Sequence, residues 1–117
     1  MTTQAIELDV SKMHAAADKA TMLLRALANS DRLLLLCHLS QGERCVSELE
    51  VELGIQQPTL SQQLTVLRTQ EIVGTRRDGK RIYYAVSDPN ALAVLETLYR
   101  LFCAPGRKRR ANRLGAV

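Results

Sequence analysis

Residues 46–67 read VSELEVELGIQQPTLSQQLTVL, and this stretch decides the fold. Its first half has apolar residues at helical spacing and ends at Gly54, a residue type that commonly follows the last turn of a helix. Pro58 suits the first turn of a second helix, whose leucines form one narrow apolar edge. Two short helices joined by about four residues that include a glycine indicate a helix-turn-helix.

The residues that follow this unit change from helical to β-prone patterning. Residues 72–77 and 81–86 are two β-prone runs, and Asp-Gly-Lys at 78–80 predicts a hairpin turn in which the glycine takes a positive φ. A helix-turn-helix followed directly by a two-stranded ribbon is a winged helix. Residues 11–28 and 89–103 flank the unit with apolar helical stripes, which a second copy of the chain would cover. We therefore expect a mainly α fold with a small β-hairpin, a winged helix-turn-helix that forms a homodimer through its first and last helices.

The chain has the length and composition of one globular domain, with 117 residues, 46% of them hydrophobic and 24% charged. We expect a disordered N-terminus at residues 1–10 and a basic flexible tail at residues 105–117. Between them, residues 11–104 are expected to form the winged helix-turn-helix domain for DNA binding and dimerisation. Residues 31–39 are apolar almost all round, so they predict a central buried helix with Ser30 as its N-cap.

Membrane and secretory classes are not expected. No apolar run exceeds five residues, which is too short for a transmembrane helix. Residues 1–10 lack the basic and apolar regions of a signal peptide. We therefore expect a cytoplasmic protein without a membrane partner.

The charge is concentrated in the second part of the chain. Residues 68–117 carry eleven Lys and Arg against four Asp and Glu, whereas residues 1–67 carry five against eight. A basic half on a small domain indicates a phosphate-rich partner. From charge alone, a soluble domain with a basic tail fits equally well.

The outer face of the second helix of the helix-turn-helix is made of amides and hydroxyls without an acid. Such side chains pair with base edges and donate hydrogen bonds to phosphates without repulsion. For base and phosphate contact we predict Gln57, Thr59, Ser61, Gln62 and Gln63. For backbone contact from the hairpin we predict Arg77, Lys80 and Arg81. The alternatives are a solvated polar helix and a ribbon whose charges prevent edge aggregation.

Four stretches, at residues 27–36, 46–49, 57–68 and 76–84, resemble the ArsR family of winged-helix repressors. The resemblance covers about residues 13–103. It implies a homodimer, paired through its first and last helices, that represses transcription. Its partner would be double-stranded operator DNA with an inverted repeat, released when an inducer arrives. The resemblance implies a regulator rather than an enzyme.

The resemblance also bears on the three cysteines. Metal-sensing members of the family carry Cys-x-Cys near the third helix or Asp and His on the last helix. Here Ser47 stands at the second place after Cys45, and the last helix has no histidine, so no metal site and no cofactor are expected. Cys37 and Cys103 resemble the dithiol of the sulfide- and persulfide-responsive branch. That resemblance implies that reactive sulfur species or oxidants bridge the two thiols and release the DNA.

Other readings of the cysteines stay open. Cys45 is either incidental or a third thiolate in an arsenite-type site, which would make the chain an arsenite- or thiophilic-metal-responsive repressor. Cys37 and Cys103 also fit as small apolar residues. A thiol enzyme is not expected, because Cys37 and His38 are adjacent on a helix and point to different sides. A winged helix that binds only protein would show no salt-dependent DNA affinity.

Overall fold

The computed structural model describes residues 9–103, which form five helices and three strands. Their order is α1 (Val10–Leu27), α2 (Ser30–Leu39), β1 (Arg44–Cys45), α3 (Val46–Leu53), α4 (Thr59–Thr69), β2 (Val73–Asp78), β3 (Arg81–Val86) and α5 (Pro89–Phe102). The predicted mainly α winged helix-turn-helix with a small β-hairpin is confirmed, with α3 and α4 as its two short helices. Apart from residues 9 and 10, the predicted N-terminal segment 1–10 and the basic tail 105–117 lie outside the described residues.

The helix ends follow local capping chemistry. Gly54 ends α3 in the left-handed conformation at φ 71°, as the sequence predicts. Asp88 caps α5, because its carboxylate accepts a hydrogen bond from the backbone N–H of Asn90 at 2.9 Å. The N-cap of α2 is Asn29 rather than the expected Ser30, since the Asn29 side chain accepts from the N–H three residues on. Both residue types are good caps, so the sequence did not distinguish them.

The sheet has three antiparallel strands in the order β1-β3-β2. Val73 pairs with Val86 at one end of the hairpin and Asp78 with Arg81 at the other, which leaves a two-residue turn with Gly79 at φ 65°. β1 was not predicted from the sequence. It has only two residues and runs directly into α3, so no alternation marks it.

The core lies where α2, α3, α4 and α5 meet. Its largest fully buried side chains are Leu35, Leu36, Leu49, Leu60, Leu67 and Leu95. The apolar edge of α4 packs inward through its three leucines, as predicted. The opposite face of α4 therefore points to solvent, beside the hairpin. This arrangement positions the polar residues that were predicted to contact DNA.

The two outer helices leave apolar side chains uncovered. On α1, Met13, Met22 and Leu24 are at least half exposed, and on α5 the same is true of Leu101 and Phe102. Exposed large apolar side chains on helices at both ends of one chain are typical of an interaction surface. In residues 9–103, none of the helices has the length and apolarity needed to cross a membrane.

Candidate DNA-binding surface and thiol pair

The structure places the five polar residues predicted on the helix-turn-helix along the first half of α4 and the turn before it. We call these residues the reading face. Gln57, Ser61 and Gln62 are exposed, whereas Thr59 and Gln63 are partly buried at its margins. The face carries no acidic side chain, so it presents no repulsion to a phosphate backbone.

Two residues of the reading face are bound to each other. The Oε1 atom of Gln57 accepts a hydrogen bond from the backbone N–H of Ser61 at 3.3 Å and a second one from the Ser61 hydroxyl. The Gln57 side chain therefore accepts from a backbone N–H in the first turn of α4, where the helix itself supplies no acceptor. Because the amide oxygen of Gln57 already accepts two hydrogen bonds, its two N–H hydrogens are the part of the side chain that is available to an outside partner.

Gln63 is tied to a neighbouring helix. Its Oε1 atom accepts a hydrogen bond from Nη1 of Arg32 in α2 at 3.1 Å. The same guanidinium donates from Nε to the carbonyl of Ala26 at 2.7 Å and from Nη2 to the carbonyl of Arg25 at 3.0 Å. Arg32 was not predicted as part of the site, because its partner on α4 lies 31 residues away along the chain.

The hairpin presents its three predicted cations, Arg77, Lys80 and Arg81, as exposed side chains at and near the tip. Neighbouring residues of a strand point to opposite faces, so Arg76 projects away from Arg77. Arg76 binds Glu43, with Nη2 2.5 Å from Oε2, and its guanidinium lies 4.7 Å from the centre of the Tyr83 ring. This hydrogen bond lowers the pKa of Glu43 and raises that of Arg76. The charge of Arg76 is therefore largely balanced within the protein.

Two of the cysteines lie on helices that pack against each other, α2 and α5. Cys37 is half-buried on α2, and Cys103 is exposed at the C-terminal end of α5, where its backbone N–H donates to the carbonyl of Tyr99 at 2.8 Å. Burial raises the pKa of the Cys37 thiol, and the nearby negative charge of an ionised Cys103 raises that pKa further. Both side chains are free thiols. They are therefore close enough in space to interact electrostatically.

Cys45 has a different environment. It is 3% exposed, lies in β1 opposite Tyr83, and its sulfur is 3.4 Å from the hydroxyl of Ser47. Its backbone N–H donates to the carboxylate of Glu48 at 3.0 Å, which fixes the start of α3. Across residues 9–103, no three His, Cys, Asp or Glu side chains form a group that would hold a metal ion.

His38 belongs to a polar bridge between helices. Its Nε2 atom lies 2.6 Å from Oε1 of Glu52 in α3, and the same oxygen accepts from Nε of Arg44 at 2.9 Å. Hydrogen bonds from His38 and then from Arg44 lower the pKa of Glu52. The imidazole is thus bound to a carboxylate on α3 rather than to the adjacent Cys37.

The comparisons with known proteins agree with this geometry. The family described as "Bacterial regulatory protein, arsR family" matches residues 29–75, which run from the N-cap of α2 into the hairpin. The biofilm growth-associated repressor of Agrobacterium fabrum is 48% identical over 99 residues, which cover 85% of this chain and 85% of that protein. The chain belongs to the ArsR family.

Solved structures of relatives show the same fold. The repressor BigR from Xylella fastidiosa superimposes with a TM-score of 0.74 at 44% identity, covering 84% of this ArsR-family chain and all of the other. Reduced HlyU from Vibrio cholerae gives a TM-score of 0.77 at 39% identity, covering 80% and 98% of the two chains. This member of the ArsR family is accordingly a DNA-binding transcriptional repressor and not an enzyme.

Proposed function

We propose that this repressor is a homodimer that binds its operator when its thiols are reduced and releases it when Cys37 and Cys103 are bridged. The bridging agents are reactive sulfur species or oxidants. One observation carries the proposal: α2, which carries Cys37, packs against α5, at whose end Cys103 is exposed. The apolar surface of α1 and α5 supports pairing of two copies through these helices.

The exposed thiol reacts first in the proposed chemistry. The Cys103 thiolate attacks the outer sulfur of a low-molecular-weight persulfide and takes up that sulfur, while the carrier leaves as a thiolate. Cys37, after losing its proton, attacks the inner sulfur of Cys103 and expels hydrosulfide, which leaves a disulfide. With peroxide, Cys103 becomes a sulfenic acid as one water is released. Attack by Cys37 then releases a second water.

The bridge acts on DNA binding through the helices that it joins. It ties α2, in the core, to the end of α5, where Leu101 and Phe102 are exposed. In a dimer paired through α1 and α5, a change at this end changes the spacing of the two copies of α4. Release requires only that the bridged state disfavours the DNA-bound spacing, typically by about 1–3 kcal/mol.

The proposed operator is an inverted repeat read by two copies of α4. Each copy enters a major groove, and the two grooves lie about one helical turn apart. The reading face makes base and phosphate contacts, and Arg77, Lys80 and Arg81 contact the backbone beside it. We place this activity in the cytoplasm, where thiols are kept reduced until a reactive species arrives.

The experiment compares reduced and treated protein on the same duplex. An operator is first obtained by selection from a randomised double-stranded library. Binding is then titrated before and after treatment with persulfide, peroxide and arsenite in turn, and the products are mapped by intact and peptide mass spectrometry. We expect loss of binding together with a Cys37–Cys103 linkage. Release without that linkage, or linkage without release, would contradict the proposal.

A further inference from the structure

We propose that Arg32 is a positioning residue that orients the Gln63 amide so that its NH2 group faces DNA. The inference rests on the DNA-binding function and adds to it the chemistry that one residue of the reading face recognises. Its basis is the hydrogen bond from Nη1 of Arg32 to Oε1 of Gln63 at 3.1 Å, which joins α2 to α4.

The chemistry of the two groups fixes which end of the Gln63 amide faces Arg32. A guanidinium has only donors, so its partner is the amide oxygen and not the nitrogen. The oxygen is therefore engaged inside the protein, and the two amide hydrogens are left for an outside partner. Gln63 is partly buried beside exposed Gln62, so its free end lies at the margin of the reading face.

Arg32 is itself held in place from two sides. Its Nε and Nη2 atoms donate to the carbonyls of Ala26 and Arg25 at 2.7 and 3.0 Å, both in the last turn of α1. The Arg25 carbonyl also accepts from the backbone N–H of Ala28 at 3.3 Å, and Arg32 adds a second donor to it. The Ala26 carbonyl lies in the last turn, where a helix supplies no donor of its own, so Arg32 satisfies it. The backbone N–H of Arg32 donates to the side chain of Asn29 at 3.0 Å. With two donors engaged by main chain, Nη1 has a fixed direction toward α4.

The consequence is a restriction on the bases that Gln63 recognises. A glutamine reads adenine with both ends of its amide, because its oxygen accepts from N6 while its nitrogen donates to N7. An oxygen held toward Arg32 disfavours that mode, because the amide then presents its hydrogens to the groove. Gln63 therefore donates to an acceptor: O6 or N7 of guanine, N7 of adenine, O4 of thymine, or a phosphate oxygen. Guanine offers two adjacent acceptors, whereas adenine pairs its single acceptor with a donor, so we expect guanine to be favoured over adenine.

A double-mutant cycle on DNA binding tests the coupling between the two residues. Wild type, Arg32→Met, Gln63→Ala and the double variant are titrated on one duplex selected by wild type. We expect Arg32→Met to weaken binding about three- to tenfold in the wild-type background and to have little further effect when Gln63 is alanine. A merely structural Arg32 would give the same loss in both backgrounds, which would overturn the inference. Thermal unfolding of all four proteins confirms that each is folded at the titration temperature.

Selection from a randomised duplex library supplies the second readout. The base pair at which Gln63→Ala loses its preference identifies the contact. We expect guanine or thymine to be preferred there in wild type, and the preference to shift toward adenine in Arg32→Met. A uniform loss of affinity without a change in base preference assigns the same donor to a phosphate. A preference for adenine at that position that is the same in wild type and in Arg32→Met would overturn the inference. If wild type selects no duplex at all, DNA binding itself fails and the inference falls with it.

Discussion

Glu43, in the loop before β1, holds Arg76 of β2 with both of its carboxylate oxygens. The Nε atom of Arg76 lies 2.8 Å from Oε1 and 3.1 Å from Oε2, and Nη2 lies 2.5 Å from Oε2. The pair links β2, the outer strand of the hairpin, to the loop that precedes β1. The two adjacent arginines therefore differ in their environment. The charge of Arg76 is paired with that of Glu43, whereas Arg77 is exposed to solvent.

Substitution of Glu43 by glutamine is expected to strengthen DNA binding. The change removes one negative charge beside the hairpin and frees Arg76, whose guanidinium then has no internal carboxylate partner. We expect a several-fold higher affinity and, where Arg76 then reaches a phosphate, a salt slope steeper by about one. Titration at several salt concentrations measures both quantities. Glu96→Gln, on an exposed position of α5, is the matched control for the loss of one charge. An equal gain in the control would contradict a specific role for the pair.

Alanine substitutions in the reading face and in the hairpin are expected to affect DNA binding differently. Gln62→Ala removes an exposed amide from α4, so we expect relaxed sequence preference, worth about 1–3 kcal/mol of discrimination at one base pair. Lys80→Ala removes the proposed phosphate contact, so we expect weaker binding to all sequences alike and a salt slope smaller by about one. Titration of selected and scrambled duplexes at several salt concentrations separates the two. Loss of sequence preference in Lys80→Ala would show that the hairpin reads bases.

The exposed end of α5 is expected to control pairing of the two copies. Phe102 is 79% exposed in the single chain, and burial of such a side chain contributes about 1.5–3 kcal/mol. We therefore expect Phe102→Ala to raise the dimer dissociation constant by about tenfold or more, measured by analytical ultracentrifugation. Val51→Ala, at an 83% exposed position of α3, is the control and should leave the dissociation constant unchanged. Equal behaviour of the two variants would place the interface elsewhere.

Much of the fold could be predicted because its signals are local. The leucine spacing of α4, Gly54 after α3 and the glycine of the hairpin turn each act within a few residues. β1 could not be predicted, since a strand of two residues shows no alternation of apolar and polar side chains. The links from Arg32 to Gln63 and from Glu43 to Arg76 join residues more than thirty positions apart. Such contacts depend on how the elements pack, which a single sequence does not state.

For the site, too, features set by local sequence patterns could be predicted, whereas contacts between distant residues could not. Surface exposure of the reading face followed from the helical period of its leucines, but the internal hydrogen bonds of Gln57 and Gln63 did not. The pairing of Cys37 with Cys103 was predicted from resemblance alone. No local pattern relates positions 66 residues apart, and the structure adds that the two helices concerned, α2 and α5, pack against each other.

Alkylation kinetics provide a test of the electrostatic relation between the two thiols. Burial and the charge of Cys103 both raise the pKa of Cys37, so Cys103→Ser should lower that pKa by removing the second cause. At a fixed alkaline pH the thiolate fraction of Cys37 then rises, and its reaction with iodoacetamide becomes faster. The pH profile for Cys37, followed by peptide mass spectrometry, should move to lower pH. Cys45→Ser should not move it, and an unmoved profile in Cys103→Ser would show that the two sulfurs do not interact.

The switch itself is tested by three single substitutions. Cys37→Ser and Cys103→Ser each remove one end of the proposed bridge, so we expect both variants to bind the operator and to keep it after persulfide treatment. Cys45→Ser is the matched control, because Cys45 is buried beside Ser47 in β1 and should not be needed for release. Release is measured by titration on the selected operator before and after treatment. A plain disulfide requires Cα atoms within about 7 Å, whereas a chain with inserted sulfur atoms spans more, so the mass of the linked peptides shows which bridge forms. If Cys45→Ser is the variant that no longer responds, the thiol pair is wrong and an arsenite-type site that includes Cys45 becomes the better hypothesis.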